Sequence, residues 1–110
     1  MKAASRKGLN IDLESIAEFA KDGIVSKTLV KTRSTEVSLF CMSLGQSIST
    51  HKSSFPAIIH VLQGTGDVTL ATKTYQAKPN AWFYMPAQLP HSIEATENLV
   101  FLLTLFKQSE

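Results

Sequence analysis

From residue 24 onward the chain is a succession of short apolar runs rich in β-branched and aromatic residues. Polar or Gly/Pro-containing turn signals cut it about every 8 to 12 residues. This rhythm leaves no room for the long helices of a parallel α/β sheet and demands an all-β sandwich or barrel. Residues 24–32 and 37–44 read as a hairpin closed by Arg33-Ser34-Thr35-Glu36. Residues 47–51 form a short strand with Ile48 and Thr50 on one face, Ser49 and His51 on the other. Residues 57–63 are apolar at both alternating positions, which predicts a strand covered on both sides. After Gly64-Thr65-Gly66 the chain returns over 67–71, turns through Ala71-Thr72-Lys73-Thr74 and continues as 75–77. Residues 81–85 make an aromatic strand (Trp82, Phe83, Tyr84), read as barrel wall. Pro86 to Pro90 bends the chain. From His91 the alternation is clean: His91, Ile93 and Ala95 share the interior face, Ser92, Glu94 and Thr96 the wet one. Residues 99–106 close the sheet.

The chain before this point has another character. Residues 1–9 show no apolar period and are expected to be a disordered tail, leaving 10–110 as a single domain. Leu13, Ile16, Ala17 and Ala20 fit one face of a short helix over 11–19. Asp12 would cap it, and Gly23 would end it after Lys21.

All three histidines fall between residues 45 and 95. Gly45 is followed after five residues by His51, then by Ser53, Ala57 and, six residues further, Gly64. Asn80 is followed after five residues by Pro86, then by Gln88 and Pro90-His91. These two segments resemble the paired motifs of the cupin family: Gly, five residues, His-x-His, three or four residues, Glu, six residues, Gly; then Gly, five residues, Pro-x-Gly, two residues, His, three residues, Asn. Gly45, His51, Gly64, Pro86 and His91 match in identity. Ser53 stands where the second His belongs, Ala57 where the Glu belongs, and Asn80, Gln88 and Ala95 replace the other motif residues. Asn is the non-glycine residue best able to hold a left-handed backbone, so Asn80 is expected to have a positive φ.

The resemblance implies a double-stranded β-helix, the cupin jelly-roll barrel, with a short N-terminal helix or arm. It implies a binding pocket at His51, Ser53, Ala57 and His91. Metal-binding cupins use the two His and the Glu of the first motif with the His of the second, so only His51 and His91 carry over as ligands. Two imidazoles and water would hold a divalent transition metal (Zn, Ni, Fe, Mn or Cu) weakly. His60 would join them only through a bulge, because strand parity groups it with Ile58 and Leu62, away from Ala57. Gln88, in the bend, is a further candidate at the pocket mouth.

Net charge of +2 is too small to argue for nucleic acid, and the basic residues are scattered apart from Lys2, Arg6 and Lys7 in the expected tail. No apolar run approaches the ~18 residues of a spanning helix, which argues against a membrane partner. Cys41 is alone, so no internal disulfide forms. In its apolar run it reads as a small buried hydrophobe, and the reducing cytoplasm is the expected compartment. Only 18% of residues are charged, and 57–62 and 99–106 are apolar on both faces, which predicts a homodimer with His60 near its interface. Two functions stay open: a module binding a small molecule in the barrel, planar or weakly acidic, or a metal-dependent dioxygenase- or isomerase-type enzyme using His51 and His91.

Overall fold

The computed structural model describes residues 8–107. A four-residue helix α1 (Leu13–Ile16) precedes nine strands: β1 (Ile24–Lys31), β2 (Thr35–Met42), β3 (Ser47–His51), β4 (Ala57–Gln63), β5 (Gly66–Leu70), β6 (Lys73–Ala77), β7 (Trp82–Met85), β8 (His91–Ala95) and β9 (Leu99–Phe106). They form two wholly antiparallel sheets, a five-stranded one in the order β1-β2-β9-β4-β7 and a four-stranded one in the order β3-β8-β5-β6. This is the expected jelly-roll architecture. Between the sheets lies one apolar core, in which Met42, Ile59, Val61, Val68, Met85 and Phe101 are almost fully buried.

Ala57, Ile59 and Val61 of β4 face that core, while Ile58, His60 and Leu62 alternate onto the outer side. A second cluster on the outer side of the large sheet gathers Leu29, Leu39, Cys41 and Val100. Ile11, Leu13, Ile16 and Ala17 of the N-terminal arm cover it. Cys41, 1% exposed, sits there as the small hydrophobe expected. The turns that join the strands need left-handed backbone. Gly45, Gly64 and Asn80 have φ of 87°, 81° and 73°, so Asn80 does replace a motif glycine in backbone terms. At Gly64 a Cβ would collide with the carbonyl of Asn98, which excludes any side chain there.

Several expectations are corrected. The helix is shorter than expected: Asp12 caps it, accepting from the amide of Glu14, but Ala17 is already extended and Gly23 lies in a separate turn. One turn of helix cannot sustain itself, so the arm is held by apolar packing instead. Of the expected tail, residues 1–7 lie outside the described residues. Gly8 and Leu9 are exposed and without regular structure. Lys73 and Thr74 belong to β6, not to the turn before it: Lys73 pairs with Leu70 and Thr74 with Thr69 around a two-residue turn, Ala71-Thr72. Trp82 and Tyr84 are not barrel wall. They are 59% and 50% exposed on the outer side, and only Phe83 and Met85 alternate inward. For the same reason β4 is fully buried on its inner side alone.

Replacing Asn80 by Gly leaves stability unchanged or slightly raised, whereas Asn80→Val costs about 1–2 kcal/mol; chemical denaturation of both variants checks this, and equal stabilities would contradict it. We also propose that a second copy of the chain covers the outer strip of β4 and β7, beside the part of the sheet that the arm covers. No Asp, Glu, Lys or Arg stands on these outer faces, so no like charges meet across a two-fold axis. Half-buried His60 lies there directly opposite Trp82 and Leu102. Light scattering is expected to give twice the 12.1 kDa chain mass, falling to the monomer value in Trp82→Lys.

Candidate functional site

The inner face of the four-stranded sheet is built in rows across its strands. Deepest are Ala95, Gly66 and Ala77; the middle row is Ile48, Ile93, Val68 and Tyr75; the outermost is His51, His91, Leu70 and Lys73. Residues directly opposite in an antiparallel pair share a face, so each row points into the barrel. Burial falls along these rows. The deepest residues are buried, the middle row is open at its ends (Ile48, Tyr75), and in the outermost row only His91 stays buried. The barrel is therefore closed at the end of Gly64 and Gly66 and open at the end of His51 and His91.

His51 reaches this row through a bulge. Ile48 pairs with Ile93 and His51 with His91, so three steps along β3 match two along β8. Strict alternation places Ile48 and His51 on opposite faces. The extra residue brings them to the same one, correcting the expectation that Ile48 and His51 lie on opposite faces. Alternation along β8 puts His91 with Ile93 inside, as expected.

The two imidazole rings lie 4.2 Å apart at an angle of 61°. Nδ1 of His51 is 3.0 Å from the carbonyl of Ser49, and Nδ1 of His91 is 2.9 Å from the carbonyl of Leu89. A carbonyl oxygen only accepts, so each ring carries a proton on Nδ1 and donates it. In the neutral ring Nε2 is then left as an acceptor. His91 is 6% exposed. Among the described residues its Nε2 has no hydrogen-bond partner, and no buried side-chain nitrogen or oxygen lacks one, so Nε2 faces accessible space. Leu70 and Leu89, partly buried against the core, give this pair apolar surroundings.

The other expected site residues play other parts. The Ser53 hydroxyl accepts from the Phe55 amide in a tight turn, and the Ser53 carbonyl accepts from the amide of Gln88 at 2.7 Å. Gln88, with φ of 70°, thus ties the two motif loops together through its backbone. Ala57 is 3% exposed, between Met85 and Leu105, and contributes wall. His60 is on the outer side, so no bulge returns it to His51 and His91. Lys73 is a site residue that the sequence does not signal, because the polar run 71–74 suggests a four-residue turn where two residues suffice. Its pairing with Leu70 sets it on the histidine row.

The donor set falls short of the metal that the fold family implies. A catalytic metal site takes three protein ligands as a rule. Among the described residues no group of three His, Cys, Asp or Glu converges. Ser53 is engaged in its turn and Ala57 offers no donor. The anchored Nδ1 atoms are what a metal-binding pair requires, but two imidazoles without a carboxylate do not fit a resident metal.

A cupin domain family model matches residues 38–105, which contain both motif segments. No curated protein sequence matches the chain. Among solved structures, a conserved protein of unknown function from Streptococcus pyogenes is 27% identical over 100% of this chain and 98% of its own, with a TM-score of 0.86. A cupin superfamily protein from Desulfitobacterium hafniense is 20% identical over 97% of both chains, with a TM-score of 0.84. A cupin 2 conserved barrel domain protein from Leptotrichia buccalis is 32% identical over 88% of this chain and 47% of its own, with a TM-score of 0.82. With the histidines of its two motif segments side by side in a jelly roll of two antiparallel sheets, the chain belongs to the cupin family.

Proposed function

We propose that this cupin binds a small organic molecule at the open end of its barrel, with His51 and His91 as the polar anchor. The observation that carries the reading is the pair of rings 4.2 Å apart, each with Nδ1 tied to a carbonyl and Nε2 left to accept. Two oriented acceptors on an apolar wall are a common design for small-molecule recognition. Ser53 and Ala57 complete the site by shaping it, Ser53 through its turn and Ala57 as a small wall residue that leaves room. The lone, buried Cys41 suits a reducing compartment, and a cytoplasmic location is part of this reading.

The second reading is a metal-dependent enzyme of dioxygenase or isomerase type. The anchored imidazoles favour it; the number of donors does not. Metal analysis of protein purified without chelator and without a histidine tag separates the two. Far less than one equivalent is expected, with no change in His51→Ala or His91→Ala. Near-stoichiometric metal lost in both variants would replace the binding module with the enzyme. The binding itself is tested by following the ring Cε1–H signals of His51 and His91 by NMR against a panel of small organic molecules. Compounds that bind are expected to shift both signals, and a panel that shifts neither would overturn the reading.

A further inference from the structure

The outermost row of the four-stranded sheet does not end with the histidines. His51 pairs with His91, His91 with Leu70 and Leu70 with Lys73, so all four side chains rise from one face at one level of the barrel. Two inter-strand steps separate His91 from Lys73, about 10 Å between backbones. The orientation of Lys73 has independent support. Its ammonium lies 5.2 Å from the centre of the Tyr75 ring, and that ring packs edge-on against the inward-facing Phe83, 6.2 Å between centres. The cation is thus held along an aromatic wall at the mouth instead of ranging freely in solvent.

The charge pattern of this face is one-sided. Apart from the histidines, the inner side of the four-stranded sheet carries a single ionisable group with a formal charge at neutral pH, Lys73. Among the described residues no carboxylate pairs with it: the two ion pairs are Lys27 with Glu18 and Lys107 with Glu36. Across the barrel, Glu36 shares the inner face of the five-stranded sheet with Leu105, but its carboxylate is taken by Lys107 at 3.2 Å. A mouth with a free ammonium and no free carboxylate repels a second cation and attracts an anion.

We infer that Lys73 is the anion-recognising residue of the pocket and that its ligand is an organic carboxylate. The carboxylate meets the ammonium of Lys73, and a hydroxyl or N–H elsewhere on the molecule donates to Nε2 of His51 or His91. The intervening body lies over Leu70 and the Tyr75 ring. This assignment rests on the small-molecule reading of the His51–His91 site and names the chemical class that the site takes.

The test uses matched pairs of probes: aromatic and aliphatic hydroxy acids, 4-hydroxybenzoate among them, and the neutral primary amide of each. Binding to the full chain is read by calorimetry and by the ring signals of His51 and His91. At least one acid is expected to shift both rings and to bind more tightly than its amide. Lys73→Met is expected to weaken that acid by about fivefold, the scale of a solvent-exposed ion pair at its upper end, and to leave the amide unchanged. Lys73→Arg is expected to restore the preference. Acids and amides that shift both rings equally, or an acid preference that survives in Lys73→Met, would overturn the role of Lys73 and leave the pocket reading standing. Probes that shift neither ring would overturn both. A fall in acid and amide affinity alike in Lys73→Met, with thermal stability lost, would show a structural lysine and overturn the anion assignment.

Discussion

Strand β9 is the member on which the rest of the molecule depends. It pairs with β2 along one edge and with β4 along the other, joining the outer hairpin to the strand that completes the first motif. It is apolar on both sides. Leu99, Phe101, Leu103 and Leu105 enter the core between the sheets, while Val100 and Leu102 meet the arm of Ile11, Leu13 and Ile16. Such a strand is stable only when both faces are covered, so one eight-residue run calls up a second sheet on one side and the arm on the other. The arm in turn owes its place to that surface, since its single helical turn has little stability of its own.

The same layering makes a barrel that is sealed at one end. Small residues, Ala95, Gly66 and Ala77, bring the four-stranded sheet close to Met42 and Leu99 at the closed end. The glycines there are fixed by close approach: Gly64 to the carbonyl of Asn98 and Gly66 to that of Glu94. At the other end the two motif loops are joined by the bond from the Gln88 amide to the Ser53 carbonyl, and the histidines stand beside it. Both histidines stand at this rim, and at least His51 is exposed to water there, so keeping these polar groups costs little. A site at the rim can therefore change its chemistry without disturbing the packing beneath. Replacement of two family ligand positions by Ser53 and Ala57 in an intact fold is an instance of this.

Much of this was legible beforehand. Period-two alternation and turn residues located the strands, 47–51 and 99–106 to the residue; with Ala57 facing inward as the family resemblance implies, parity put His60 outside. The spacing of Gly45, His51, Gly64, Pro86 and His91 pointed to the family and to the convergence of the two histidines. Alternation was less informative at the edges of sheets. Phe83 and Met85 obey it inwardly, but nothing in Trp82 or Tyr84 tells whether a further layer covers their side. An aromatic strand has the same composition in a wall and on a surface. The end of the helix was misjudged because Lys21 and Gly23 carry its usual terminal signals, while the chain had already become extended at Ala17.

What the sequence determined by itself was the architecture and the two positions of the imidazoles, because apolar periodicity and left-handed turn residues act locally along the chain. What only the tertiary structure decided was which face each rim residue presents. The bulge in β3 that turns His51 inward is a matter of register with β8, and the two-residue turn that sets Lys73 opposite Leu70 is a matter of register with β5. Register is fixed by pairing between strands, and a shift of one residue exchanges the inner and outer faces.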